Sequence, residues 1–136
     1  MPSSLARPAV EVEGALRAWL RTTPAVGNRW YFGAPDTLVF PFGILEVTAI
    51  VPVPGGVPID QATVRLDLWG MTARDKFAIA ALATGLRTTI DSLPSGTPMG
   101  TAVCLGATVI NGPRWSPDVA DGKARYVLDA EFLLRP

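Results

Sequence analysis

Histidine is absent from the 136 residues and cysteine occurs once. Without histidine the chain lacks the usual general base near neutral pH and the commonest zinc ligand, so Ser-His and Cys-His catalysis within one chain are excluded. The lone cysteine, Cys104, can form no intrachain disulfide, and its place inside an apolar run reads as a small buried hydrophobe. Net charge is missing as well, because 12 basic residues balance 12 acidic ones. There is no basic footprint of the kind that holds nucleic acid through counterion release, so DNA is not expected as a tightly held ligand. Long apolar runs are also wanting: Ile50-Val51-Pro52-Val53-Pro54 is short and broken by proline, far below the roughly 20 residues of a membrane span. A soluble protein with no membrane partner is expected. The opening Met-Pro-Ser-Ser-Leu-Ala-Arg-Pro lacks the charged and then apolar organisation of a signal peptide, so export by that route is not expected.

What is present describes one domain spanning residues 1–136, of which 49% are hydrophobic. A chain of this length buries about two-thirds of the surface its unfolded form exposes. From Pro8 to Arg21, Val12, Leu16, Trp19 and Leu20 recur at helical spacing, which predicts an amphipathic helix. Its glutamates lie near the positive end, and Glu13 is spaced to pair with Arg17. Arg29-Trp30-Tyr31-Phe32 reads as a brief strand before a loop. Phe42 to Val51 reads as the next, with Leu45, Val47, Ala49 and Val51 facing inward and Ile44, Glu46 and Thr48 outward.

The stretch Pro52-Val53-Pro54-Gly55-Gly56-Val57-Pro58 cannot sustain a ladder of backbone donors and must be a loop. No lysine-serine or lysine-threonine pair follows its glycines, so it is no phosphate cradle. Ala62 to Trp69 alternates cleanly, Ala62, Val64, Leu66 and Leu68 against Thr63, Arg65, Asp67 and Trp69. Thr72 and Asp75 form a start resembling a capping box for a second helix. Phe77, Ala81, Leu82, Leu86, Ile90 and Leu93 are its expected buried stripe, and Gly85 within it is expected to serve close packing. Thr101 to Asn111 reads as a strand with a bulge at Gly106. Ala124 to Leu134 is its partner, with Arg125, Val127, Asp129, Glu131 and Leu133 on the polar face. The order α-β-β-β-α-β-β predicts an α+β domain: a mostly antiparallel five-stranded sheet with two helices packed on one face.

Two patterns bear on chemistry. Glu46, Asp67, Asp129 and Glu131 are strand carboxylates of the kind that gather divalent cations, and a metal-dependent hydrolase would use Asp129 and Glu131. Arg65 and Arg125 alternate with them, and cross-strand ion pairs would occupy the same oxygens with no metal present. Asp118 and Asp121-Gly122 lack the spaced donors of a calcium loop and read as a turn. The second pattern is the 12-residue stretch from Gly112 to Lys123, far longer than a hairpin connection needs. It carries Arg114 beside Trp115, residue types enriched at binding hot spots. Trp115 is therefore either an anchor for a partner or a cap folded back on the core.

Together the segments "ALRAWLR", "VRLDLWGMTARDKFAIAALATGLRTTI" and "GPRWSPDVADGKARYVLDAEFLLRP" resemble the tail terminator proteins of long-tailed, non-contractile bacteriophages. The similarity spans nearly the whole chain. Its most specific parts are the strand ending in Trp69-Gly70 and the Gly-Pro-Arg-Trp stretch leading into the last strand. The resemblance implies a virion protein assembled in the host cytoplasm: a homo-oligomeric ring, usually hexameric, that sits on the last ring of the major tail tube protein. It stops tube growth and meets the head-tail connector or stopper, while DNA passes through the lumen. Such a role calls for no cofactor, metal or nucleophile, only for matched surfaces, since a closed head-to-tail ring needs two different patches on each subunit. Candidate interface positions are Arg114 and Trp115 on the long connection, Val53 and Val57 on the proline-glycine loop, and Arg65, Trp69, Arg125 and Glu131 on the mixed sheet face. The alternative within the same class is a neck or head-closure protein on the portal side.

Overall fold

A computed structural model describes residues 11–136; the proposed helix start at Pro8 lies outside them. Helix α1 (Val12–Leu20) is followed by β1 (Trp30–Tyr31), β2 (Phe42–Pro52) and β3 (Asp60–Trp69). A short 3-10 turn at Ala73–Asp75 leads into α2 (Lys76–Asp91), and β4 (Thr97–Met99), β5 (Ala102–Trp115) and β6 (Arg125–Arg135) complete the sheet. The fold is α+β, and the mostly antiparallel sheet expected with five strands has six among the described residues, in the order β1-β2-β3-β6-β5-β4, with only β1 and β2 parallel. The added strand, β4, is too short to announce itself against Pro98.

Helix α1 forms where the apolar stripe demanded it. Val12, Ala15, Leu16, Trp19 and Leu20 are buried, and the Trp19 ring meets Phe132 of β6 edge-on at 6.0 Å. The Glu11 carboxylate accepts from the Gly14 N–H at 2.7 Å, capping the first turn. Arg17 turns away from Glu13: its Nε donates to the Trp30 carbonyl at 3.0 Å and its guanidinium stacks on Phe32.

The core lies between the helices and one sheet face, where Ala62, Val64, Leu66 and Leu68 of β3 meet Leu128, Ala130, Phe132 and Leu134 of β6. Trp30 is fully buried there. It fits because β2 places Gly43 beside it, and a Cβ at Gly43 would overlap the indole ring.

Three further expectations are corrected. A bulge between Val47 and Ala49 shifts the register of β2, so Ile50, opposite Ala62, packs on the core while Ala49 and Val51 are exposed. The buried residues of α2 are Ile79, Ala83, Leu86 and Ile90, and Phe77 is 83% exposed. A Cβ at Gly85 would meet nothing; together with Ala81 it floors an open cleft of about 330 Å³ beside Thr23, Pro24 and Ala25. The Thr72 and Asp75 box does form, Asp75 Oδ2 accepting from the Met71 and Thr72 N–H groups at 2.9 and 3.1 Å, and it caps the 3-10 turn.

Candidate functional site

The sheet face away from the helices gathers most of the candidate positions, because on β3 and β6 they alternate with core residues. Register sets them in rows. Glu46, Arg65 and Asp129 stand side by side; Ile44, Asp67, Val127 and Arg114 form the next row; Phe42, Trp69 and Arg125 the one after. On the other side Thr63, Glu131 and Thr108 are neighbours.

Charge is matched along these rows. Asp129 accepts from Arg114 Nη1 at 2.8 Å and from Arg65 Nε at 3.4 Å, so one carboxylate holds two guanidinium groups. Arg125 donates Nε to the Ser116 carbonyl at 2.7 Å and Nη2 to Ser116 Oγ at 2.9 Å, with Asp67 at 3.6 Å. Its guanidinium also lies 5.1 Å from the centre of the Trp69 ring, whose other neighbour is Phe42, stacked within 9° of parallel. Burial pushes the Asp67 carboxyl above its ordinary range, against the pull of Arg125 and Arg65. Among the described residues, Asp67 Oδ1 and the Trp69 indole N–H are buried without a hydrogen-bond partner.

The two carboxylates that a metal-dependent hydrolase would use are thus already engaged. Asp129 serves two arginines, and Glu131 Oε2 accepts from Gln61 Nε2 at 2.7 Å. Among the described residues no group of three or more His, Cys, Asp or Glu side chains could hold a metal ion. The cross-strand ion pairs account for the alternation of arginine with acid on this face.

The long connection is the main correction at the site. Strand β5 continues through Arg114 and Trp115, which pair with Val127 and Tyr126, and the Asp118–Lys123 bridge shortens the loop to its tip. Gly112, at a φ of 95°, and Pro113 fall where the register shifts between Asn111 and Arg114. The ladder absorbs them as a bulge. Arg114 and Trp115 consequently leave the sheet on opposite faces. Arg114 joins the charged rows, whereas Trp115 packs half-buried against the core, its ring 5.2 Å from that of Tyr126 and 4.9 Å from the Lys76 ammonium. Val53 and Val57 sit at the far end of the sheet, in the loop closed by the Val53 N–H donating to the Ile59 carbonyl; Val57 is half exposed.

Exposed apolar side chains that the pattern missed include Phe77, Met71, Val51 and Val119, the last 88% exposed at the tip of the β5–β6 hairpin. Asp118 Oδ1 accepts from the Ala120 and Asp121 N–H groups there, which fixes the turn that presents Val119. An apolar residue inside an Asp-Gly turn was the available signal for it. Phe77 had none, since aromatic residues at helical spacing usually mark a core. No protein-family model matches the chain and no curated protein matches it. No helix among the described residues is long and apolar enough to cross a membrane.

Proposed function

We propose that the chain is a structural virion protein, the subunit of a homo-oligomeric, hexameric ring that caps a phage tail tube, ends its elongation and offers the joining surface to the head connector. DNA passes through the lumen and is not held by base-reading contacts. Two chemically similar but separately placed tips support this. The β2–β3 hairpin ends in the loop of Val53 and Val57, the β5–β6 hairpin ends at Val119, and the shared register of β3 and β6 puts them at opposite ends of one sheet. A ring stacked between two different neighbours needs a separate contact surface at each end, and an apolar tip can supply the buried centre of each. The likeness of the Trp69-Gly70 and Gly-Pro-Arg-Trp segments to tail terminators supplies the phage context.

Mixing the purified chain with tail tube protein, and separately with connector, tests the assignment. Hexamers by native mass, and tubes closed at one end in negative stain, are the expected result. A chain that stays monomeric beside tubes and binds the connector alone would move the assignment to a neck or head-closure protein.

A further inference from the structure

The two margins of the sheet are unequal in covering and opposite in charge. Strand β2 is 11 residues long, but β1 pairs only with Gly43 and Ile44. Among the described residues no strand pairs with its outer side from Leu45 to Pro52. Apart from the bulge at Thr48, this edge carries no lysine and no proline before Pro52, the devices that keep an edge from pairing. At the other margin β4 covers β5 only over Ala102 to Cys104. Beyond it the Val109 N–H donates to Asp91 at 2.8 Å, and the Gly112 carbonyl accepts from Arg87 at 3.0 Å.

Across the open face the charges run Glu46, Arg65, Asp129, Arg114, acid and base alternating from the β2 edge to the β5 edge. Asp129 is shared by Arg65 and by Arg114, which reaches it from the neighbouring row, so two guanidinium groups draw on one carboxylate on the β5 side. Among the described residues Glu46, exposed at the β2 end, makes no ion pair. Each end of the row therefore presents what the other lacks. Strand direction agrees: β2, β3, β6 and β5 alternate, so β2 of one copy laid beside β5 of the next is again antiparallel.

We infer that the boundary between subunits is this junction, the β2 edge of one copy against the β5 edge of the next, with Glu46 beside the neighbouring Arg114. The contact is heterologous and can propagate around a ring. Because Val109 and Gly112 are already bonded to α2, side chains rather than a continuous backbone ladder carry it on the β5 side. The inference rests on the ring reading above and names the surfaces that build it.

Paired cysteines test it. Glu46→Cys with Arg114→Cys should give a ladder of disulfide-linked oligomers ending at ring size on a non-reducing gel, while each single variant gives none; Cys104 is buried and can stay. A second arm swaps charge: Glu46→Arg or Arg114→Glu alone should abolish the ring-sized species in native mass spectra, and the double swap should restore it. Thermal melts of each variant confirm that the subunit is folded. Dimers from Glu46→Cys alone would mean that like β2 edges meet, which overturns the inference. Rings that form without a ladder and ignore the charge swaps also overturn it, while leaving the ring reading intact. A wild-type chain that forms no ring even on tail tubes removes both.

Discussion

Trp115 illustrates how a single side chain divides its surface between core and solvent. Its ring contacts Tyr126 and the Lys76 ammonium and lies half-buried on the core. Trp115→Ala should lower unfolding free energy by about 2 kcal/mol, less than the ~3–5 kcal/mol of a fully buried aromatic. Denaturant unfolding would read this, and an unchanged midpoint would return Trp115 to a contact role. Gly43 is constrained from the opposite direction, since the Trp30 indole fills the space a side chain would need. Gly43→Ala should cost about 1–3 kcal/mol by overpacking, in the same measurement. At Asp67 the sign follows from burial, which raises the folded carboxyl above its unfolded value of 3.8. The folded state binds that proton more tightly, so its stabilising effect is complete below the unfolded value and is lost as pH rises through the folded one. Melting temperatures of wild type and Asp67→Asn should accordingly diverge in favour of the variant as pH rises from acid to neutral. A constant difference across that range would refute it.

Among the elements, β3 and β6 were legible to within two residues at their ends, because one face of each is buried by helices and the other is mostly polar, Val127 being its buried exception. Ala62, Val64, Leu66 and Leu68 all lie where alternation placed them. Strand β2 was legible only to Val47. Beyond it apolar residues occupy both parities, and one extra residue at Thr48 chose between them through a bulge that no local pattern marks. In α2 the alanine and threonine content leaves two faces of similar hydropathy, and packing against β5 and β6 selected the one bearing Ile79. Ile79→Ala should cost about 2–4 kcal/mol, whereas Phe77→Ala should stay within about 0.5 kcal/mol; equal costs from chemical denaturation would contradict that orientation. The extent of β5 was misread because Gly112-Pro113 normally ends a strand. At a sheet margin, a bulge can accommodate both. Of the candidate interface, Arg65, Trp69, Arg125 and Glu131 were correctly grouped on one face, but the separation of Arg114 from Trp115 required the register of β5.

At the scale of the whole molecule, the two hairpin tips are the surfaces to which distinct neighbours can be assigned. Val57→Asp and Val119→Asp lie in loops and should leave stability within about 0.5 kcal/mol. Each should reduce binding to one of tube and connector while sparing the other, as read by co-sedimentation with each partner. Loss of both interactions from either variant would argue against a division between the ends. The same topology constrains synthesis. Strand β6, last of the six in chain order, lies between β3 and β5. A nascent chain can therefore join β2 to β3 and β4 to β5 as two separate ribbons, yet it cannot unite them until residues 125–135 have left the ribosome. Until then four strand edges stand open instead of two, and the subunit is most prone to mispairing in the interval just before its central strand arrives.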